Sequence, residues 1–183
     1  MPAPQERPLP STLTLVLGGA RSGKSRHAER LVLDSGLAPV YVATGEPLDD
    51  EMAARIARHR ARRGVSWRTV EEPLELSGVL LRECNSERAV LVDCLTLWVS
   101  NLMIAKRPVR DEMVHLIELL PTLPGTLVLV SNEVGLGVVP TAAMARAFID
   151  HAGWLHQRIA EHAHVVVFMA AGLPVHLKSP TDR

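Results

Sequence analysis

Several features that mark whole classes of protein are scarce in this sequence. Aromatic residues make up 3% of its 183 residues, and the two cysteines, Cys84 and Cys94, form no CxxC pair. The low aromatic content argues against base-stacking surfaces, and two cysteines exclude a disulfide framework. No apolar run approaches the roughly eighteen residues of a membrane span, and the proline-rich start lacks the apolar core of a signal peptide. We therefore expect a cytoplasmic protein.

An excess of charge of either sign is also absent. Twenty Lys and Arg balance twenty Asp and Glu, for a formal net charge of zero. Such a chain has no global basic field to hold nucleic acid, so we expect no nucleic-acid partner. Its length and its 47% hydrophobic content are typical of one globular domain that folds without a disulfide. We predict a flexible tail over residues 1–11 and one domain over residues 12–183.

What the sequence does contain is an alternation of short apolar runs with longer segments of helical spacing. The runs have strand length and are rich in β-branched residues, as buried parallel strands are. They are Leu13–Leu17, Val40–Ala43, Ala89–Val92, Thr126–Val130 and Val165–Met169. The helical segments are Lys24–Leu33, Asp50–Arg63, Leu74–Glu83, Asp111–Leu120 and Ala142–Ala163. This order predicts an α/β fold in which helices flank a mostly parallel sheet.

A phosphate-binding motif follows the first predicted strand. Residues 18–25, GGARSGKS, match the P-loop pattern G-x-x-x-x-G-K-[ST]. Gly18 and Gly23 let the backbone wrap around a phosphate, and the N-terminus of the next helix favours the same anion. In such a loop Lys24 reaches the outer phosphates and the Ser25 hydroxyl binds Mg²⁺. The alternative, a glycine-rich turn without function, is disfavoured because the motif lies between a strand and a helix.

Two acidic residues follow predicted strands. Asp93 ends the run AVLVD, and Glu133 follows TLVLVSN. Ligands bind at the carboxyl edge of open α/β sheets, and P-loop enzymes use an aspartate at a strand end to hold the magnesium shell. We therefore favour a metal role for Asp93 over a helix N-cap. The role of Glu133 stays open.

A charged segment, DDEMAARIARHRARR, occupies residues 49–63. Helical spacing would place Arg55, His59 and Arg63 on one face. One interpretation is a solvated charged helix. The other is a nucleophilic or acid–base histidine within an arginine clamp for phosphates, since neighbouring positive charge keeps an imidazole neutral. Spacing alone does not decide between them.

Together these motifs resemble those of the bifunctional adenosylcobinamide kinase/adenosylcobinamide-phosphate guanylyltransferase family of cobalamin biosynthesis. The resemblance extends from about Leu13 to Lys178. It is carried by GGARSGKSRHAE, VATG before the charged segment, WRTVEEP, VLVDCLTLWVSN and VLVSNEVGLGVVP. It implies that ATP or GTP phosphorylates the aminopropanol hydroxyl of adenosylcobinamide. A second reaction then transfers GMP from GTP to that phosphate through a guanylylated histidine, which gives adenosylcobinamide-GDP and pyrophosphate.

The resemblance also implies a RecA-like P-loop fold, a homotrimer and a set of site residues. His59 matches the histidine that forms the intermediate in the pattern R-I-x-x-H-x-x-x-R, and Lys24 joins it as a catalytic residue. Ser25 and Asp93 remain the metal ligands expected from the motifs described above. The implied nucleotide contacts are Gly18, Gly19, Ala20, Arg21, Ser22, Gly23, Lys24, Ser25, Ala43, Thr44, Gly45, Arg60, Ala61, Arg62, Arg63, Glu71 and Asp93.

The chain departs from the family pattern at Ile149, where an arginine is common, and at His156, where an asparagine is common. Both positions are far in sequence from the P-loop and from His59. We therefore expect these departures to affect corrinoid or subunit contacts more than nucleotide chemistry.

Two other functions stay open at this point. A P-loop kinase for a different small metabolite would need no nucleotidylation, and His59 would then be a structural helix residue. A non-enzymatic module switched by a nucleoside triphosphate would order a loop through the γ-phosphate. The charged segment after VATG argues against this second alternative, since a binding module needs no nucleophile.

Overall fold

The computed structural model describes residues 11–46 and 66–179, together with residues 50, 54, 57 and 64. Within these residues the chain forms one seven-stranded sheet with helices between its strands. The strands are β1 Thr12–Gly18, β2 Ala38–Ala43, β3 Arg68–Glu71, β4 Arg88–Asp93, β5 Thr126–Asn132, β6 Val165–Ala170 and β7 Leu173–Lys178. The helices are α1 Lys24–Asp34, α2 Leu76–Glu83, α3 Leu95–Ile104, α4 Val109–Leu119 and α5 Ala143–His162, and a 3₁₀ turn spans Leu120–Thr122.

The strand order across the sheet is β3-β2-β4-β5-β1-β6-β7. All neighbouring pairs are parallel except β6 and β7, which form an antiparallel hairpin at one edge. The carboxyl ends of the first six strands therefore meet at one edge of the sheet, which we call the carboxyl edge. The mostly parallel sheet predicted from the sequence is confirmed.

Alternate residues of the central strands pack into two separate apolar cores. Leu15 and Leu17 of β1 face the core that includes α2 to α5, where Trp98 of α3 is fully buried. Val16 faces the opposite core, where Ala28 and Val32 of α1 pack. Helices thus cover both faces of the sheet, which explains why these strands are continuously apolar rather than alternating.

Three elements were not predicted from the sequence. Helix α3, LTLWVSNLMI, is apolar on nearly every side and lacks the amphipathic pattern that reveals surface helices. Strand β3 is only four residues long, and β7 is an exposed edge strand that contains a proline. The predicted tail over residues 1–11, except Ser11, and most of the predicted helix over residues 50–63 lie outside the described residues. In the part of the chain that is described, no helix is long and apolar enough to cross a membrane.

Candidate functional site

The phosphate loop joins β1 to α1 at the carboxyl edge. Helix α1 begins at Lys24, whose side chain is only 5% exposed and whose Nζ donates a hydrogen bond to the carbonyl of Gly19 at 3.0 Å. The backbone N–H of Ser22 donates to the same carbonyl at 3.3 Å. The lysine ammonium is therefore held within the loop, at the N-terminus of the helix, where both charge and dipole favour an anion.

Two glycines of the loop are required by its packing. A Cβ atom on Gly18 would lie 2.6 Å from Ser22 Oγ and 2.8 Å from the carbonyl oxygen of Met169, and Gly23 has a φ of +95°. The turn between β6 and β7 also supports the loop, because the N–H of Gly172 donates to the carbonyl of Ser22 at 3.0 Å. The predicted P-loop thus has the close backbone approach that only glycine permits.

The other predicted nucleotide contacts that the structure describes lie along the carboxyl edge. Asp93, at the end of β4, pairs in register with Ala43 of β2, and Ala43 pairs with Glu71 of β3. Tyr41, which the sequence did not single out, donates from its hydroxyl to Asp93 Oδ2 at 3.2 Å. Asp93 is half-buried and Glu71 is exposed. His59, Arg60, Ala61, Arg62 and Arg63 lie outside the described residues.

The strand order changes which acidic residue lies beside the loop. Strand β5 separates β4 from β1, so Asp93 is not on the strand next to the P-loop strand. Asn132, at the end of β5, pairs with Gly18, and the N–H of Glu133 donates to the carbonyl of Gly18 at 3.0 Å. Glu133, whose role the sequence left open, is therefore a direct neighbour of the phosphate loop.

His156 of helix α5 lies beside Ser131 and Glu133, near the carboxyl end of β5. Its Nε2 lies 2.7 Å from Ser131 Oγ, and its Nδ1 lies 3.9 Å from Glu133 Oε2. Sequence distance suggested that the departure at His156 lies away from the nucleotide chemistry. In the fold, however, the ring contacts Ser131 of β5, the strand that borders the phosphate loop.

Hydrogen bonds from Thr44 connect the end of β2 to the turn after β4. Its side chain is fully buried, Oγ1 donates to the carbonyl of Cys94 at 2.7 Å, and Oγ1 accepts from the N–H of Cys94 at 2.9 Å. Asn101 of α3 donates to the carbonyl of Thr44 at 2.7 Å. These bonds fix Cys94, the residue that directly follows Asp93. A direct nucleotide contact by Thr44 stays a prediction.

We expect Thr44→Val to lower the free energy of unfolding by about 1–3 kcal/mol, because it leaves the buried N–H of Cys94 without its partner and removes one of two hydrogen bonds to the Cys94 carbonyl, which still accepts from Trp98 N–H. The measurement is urea unfolding followed by circular dichroism. Thr44→Ser is the matched control, since it keeps the hydroxyl and should lose less. A Thr44→Val variant that is as stable as the parent would contradict the role of the hydroxyl.

Both cysteine thiols are buried and held protonated. Burial, followed by the negative charge of Asp93, raises the pKa of Cys94 to about 11. Burial, followed by Glu83, raises the pKa of Cys84 to about 12. Because the thiolate is the reactive form, neither group is suited to act as a nucleophile at neutral pH.

These thiols predict how stability depends on pH. Below the ordinary thiol pKa of 9.0 both groups are protonated in the folded and the unfolded chain, so they do not change stability. Above it the unfolded chain loses these protons first, so the free energy of unfolding falls as the pH rises through 9 toward the raised pKa values. Urea unfolding at several alkaline pH values measures this fall. A variant with alanine at both positions should show a smaller fall in the free energy of unfolding over this pH range. A fall equal to that of the parent would show that the two thiols do not cause it.

Known proteins resemble this chain over nearly its whole length. The family model described as cobinamide kinase / cobinamide phosphate guanyltransferase matches residues 14–177. A Pseudomonas aeruginosa protein named bifunctional adenosylcobalamin biosynthesis protein CobP is 56% identical over 166 residues, which cover 90% of this chain and 96% of that protein. Two further relatives are named bifunctional adenosylcobalamin biosynthesis protein CobU, one from Escherichia coli and one from Salmonella typhimurium. Each is 40% identical to this chain over 181 residues, which cover 91% of this chain and 99% of the relative.

Solved structures at low identity share the fold. The flagellar accessory protein FlaH from Methanocaldococcus jannaschii superposes with a TM-score of 0.51 at 13% identity, over 92% of this chain and 78% of its own. The RadB recombinase superposes with a TM-score of 0.50 at 16% identity, over 87% of this chain and 74% of its own. At such identities the likeness shows the fold alone, and it agrees with the predicted mostly parallel sheet flanked by helices.

Proposed function

Because the chain belongs to the cobinamide kinase / cobinamide phosphate guanyltransferase family of cobalamin biosynthesis, we propose that it carries out both of that family's reactions. In the first, ATP or GTP phosphorylates the aminopropanol hydroxyl of adenosylcobinamide. In the second, GMP passes from GTP to the new phosphate through His59, and pyrophosphate leaves. The product is adenosylcobinamide-GDP.

The observation that carries this proposal is the phosphate loop with its buried lysine. Lys24 places an ammonium group inside a backbone loop at the N-terminus of α1, where it donates to the carbonyl of Gly19. The positive charge is thus centred on the carboxyl edge, where a triphosphate would lie between the loop and Asp93. Lys24 and the loop N–H groups would stabilise the negative charge that develops on the transferred phosphoryl group in the transition state.

The donors at this edge fit Mg²⁺. This ion usually takes one or two protein oxygens and completes its shell with water and substrate phosphates. The half-buried hydroxyl of Ser25 and the carboxylate of Asp93 supply such oxygens, and Tyr41 orients the carboxylate. When bound, the ion would neutralise charge on the phosphates. The described residues contain no group of three or more His, Cys, Asp or Glu that could form a protein-only metal site.

The second reaction needs a nucleophile, for which we propose His59. A neutral imidazole nitrogen attacks the α-phosphorus of GTP, the bond to pyrophosphate breaks, and the phosphate of the acceptor then displaces the histidine. Arg60, Arg62 and Arg63 would stabilise the charge on the phosphates by hydrogen bonding. Arg55 would do the same from the preceding turn if the segment is helical.

The proposed function is tested by product analysis. Purified protein is incubated with adenosylcobinamide, GTP and Mg²⁺, and the corrinoid products are separated and weighed by mass spectrometry. We expect adenosylcobinamide phosphate first and adenosylcobinamide-GDP later. A phosphate product without the GDP product would support the kinase-only alternative. Nucleotide binding without any corrinoid product would support the non-enzymatic alternative.

We also propose that residues 12–183 act as one catalytic domain and that three copies assemble. Sedimentation equilibrium of the full chain tests the assembly, with the mass of a trimer expected and that of a monomer contradicting it.

A further inference from the structure

Strand order makes Glu133 the acidic residue next to the phosphate loop. Its N–H donates to the carbonyl of Gly18 at 3.0 Å, and the preceding residue, Asn132, pairs with Gly18 across the sheet. Asp93 lies one strand further away, and its Oδ2 accepts from Tyr41. Glu133 thus lies nearer than Asp93 to the loop in the sheet.

The Glu133 carboxylate is held so that one oxygen remains available. Oε1 accepts a hydrogen bond from the N–H of Gly135, whereas Oε2 has no hydrogen-bond partner among the residues that the structure describes. The side chain is 23% exposed, so the carboxylate reaches solvent at the carboxyl edge. A carboxyl group held in place with one accessible oxygen has the geometry of a general base.

His156 limits where Oε2 can lie. The ring is 7% exposed, and burial lowers its pKa more than the charge of Glu133 raises it, so the ring is neutral at pH 7. A hydrogen bond of 2.7 Å between Nε2 and Ser131 Oγ fixes the ring, and Nδ1 lies 3.9 Å from Glu133 Oε2. This separation is an electrostatic contact and not a hydrogen bond. The ring therefore borders Oε2 without forming a hydrogen bond to it, and it limits the positions that this oxygen can take.

We propose that Glu133 is the general base of the kinase step and that His156 is its positioning residue; this rests on the function proposed above. Glu133 Oε2 accepts the proton of the acceptor hydroxyl while the acceptor oxygen forms its bond to the γ-phosphorus. The bond from the γ-phosphorus to the bridging oxygen breaks, and the nucleoside diphosphate leaves. The proton passes from Glu133 to water when the product is released.

A general base at this position would be needed by only one of the two reactions. The acceptor of the kinase step is a hydroxyl that must lose a proton. The acceptor of the guanylyl step is a phosphate monoester, which is already ionised at neutral pH and needs no base. Glu133 is therefore required for the first reaction and dispensable for the second. A residue that only supported the phosphate loop would affect both reactions alike, because both use a bound nucleotide.

The decisive variant is Glu133→Gln, which keeps the size of the side chain and an oxygen that accepts from Gly135. The two reactions are assayed separately, with adenosylcobinamide for the kinase and with supplied adenosylcobinamide phosphate for the transferase. We expect kinase kcat to fall by about 10²- to 10³-fold, with KM for GTP and the transferase rate changed by less than about threefold. Glu118→Gln, an exposed position on α4, is the control for loss of one negative charge.

His156→Gln tests the positioning role. We expect a smaller fall in kinase kcat, by about 10- to 100-fold, the range for residues that orient a functional group, with transferase activity retained. His162→Gln, exposed at the end of the same helix, is its control. Thermal unfolding of each variant checks that the compared proteins are folded.

Two results would overturn the assignment of Glu133. One is a Glu133→Gln variant whose kinase kcat stays within about threefold of the parent. The other is an equal loss of both reactions, which would indicate support of the loop and not proton transfer. These results are distinct from failure of the proposed function, which would appear in the parent protein as an absence of adenosylcobinamide phosphorylation.

Discussion

Replacing Lys24 with methionine is expected to slow both reactions by about 10³-fold or more. The substitution removes the ammonium group that the loop holds against the carbonyl of Gly19, and with it the charge that would stabilise phosphate in the transition state. Methionine keeps an unbranched apolar stem of similar length, so the buried space is still filled. The measurements are kcat and KM for each half-reaction.

Two comparisons make the Lys24 result specific. Arg30→Ala removes a positive charge from an exposed position on the same helix, and it should leave both rates near those of the parent. Thermal unfolding of Lys24→Met shows whether a slow variant is also an unfolded one. A folded Lys24→Met protein with parental rates in both reactions would refute the assignment of this loop as the working nucleotide site.

Replacing His59 with alanine is expected to abolish guanylyl transfer while phosphorylation continues. Without the imidazole no covalent intermediate forms, so the transferase rate should fall by more than about 10⁴-fold. The kinase step transfers the γ-phosphoryl group directly to the hydroxyl and does not use this residue. The assay therefore supplies adenosylcobinamide and GTP, and it should show adenosylcobinamide phosphate accumulating without its GDP product.

His115→Ala is the matched control for His59→Ala, because His115 is exposed on α4 and belongs to neither proposed step. Loss of both reactions in His59→Ala would mean that the residue is structural or binds nucleotide in both steps. Retention of guanylyl transfer would assign the nucleophile elsewhere.

The sequence predicted those parts of the fold whose signals are local. The phosphate loop is a contiguous motif, and β1, β4 and β5 are apolar because helices cover both faces of the sheet. Helix α3 was missed for the same reason: it is buried on nearly all sides, so no polar face marks its period. Strand β7 was missed because Pro174 interrupts its short alternation of apolar residues, and proline within a strand is confined to sheet edges and bulges.

The site could be predicted only as separate pieces. Asp93 and Glu133 each follow an apolar run, but the sequence does not show that β5 lies between β4 and β1. That order, set by packing of distant segments, places Glu133 and not Asp93 beside Gly18. The contacts of Tyr41 with Asp93 and of His156 with Ser131 also join residues far apart in the chain. No local sequence pattern predicts either contact.

The central claim is that a histidine of this chain carries GMP between GTP and the acceptor. The most direct measurement is incubation of the protein with Mg²⁺ and GTP labelled at the α-phosphorus, followed by denaturation and peptide mapping. We predict label that survives alkali, is lost in acid as a phosphoramidate should be, and maps to the peptide containing His59. Label that persists in His59→Ala, or that maps to any other residue, would contradict the claim.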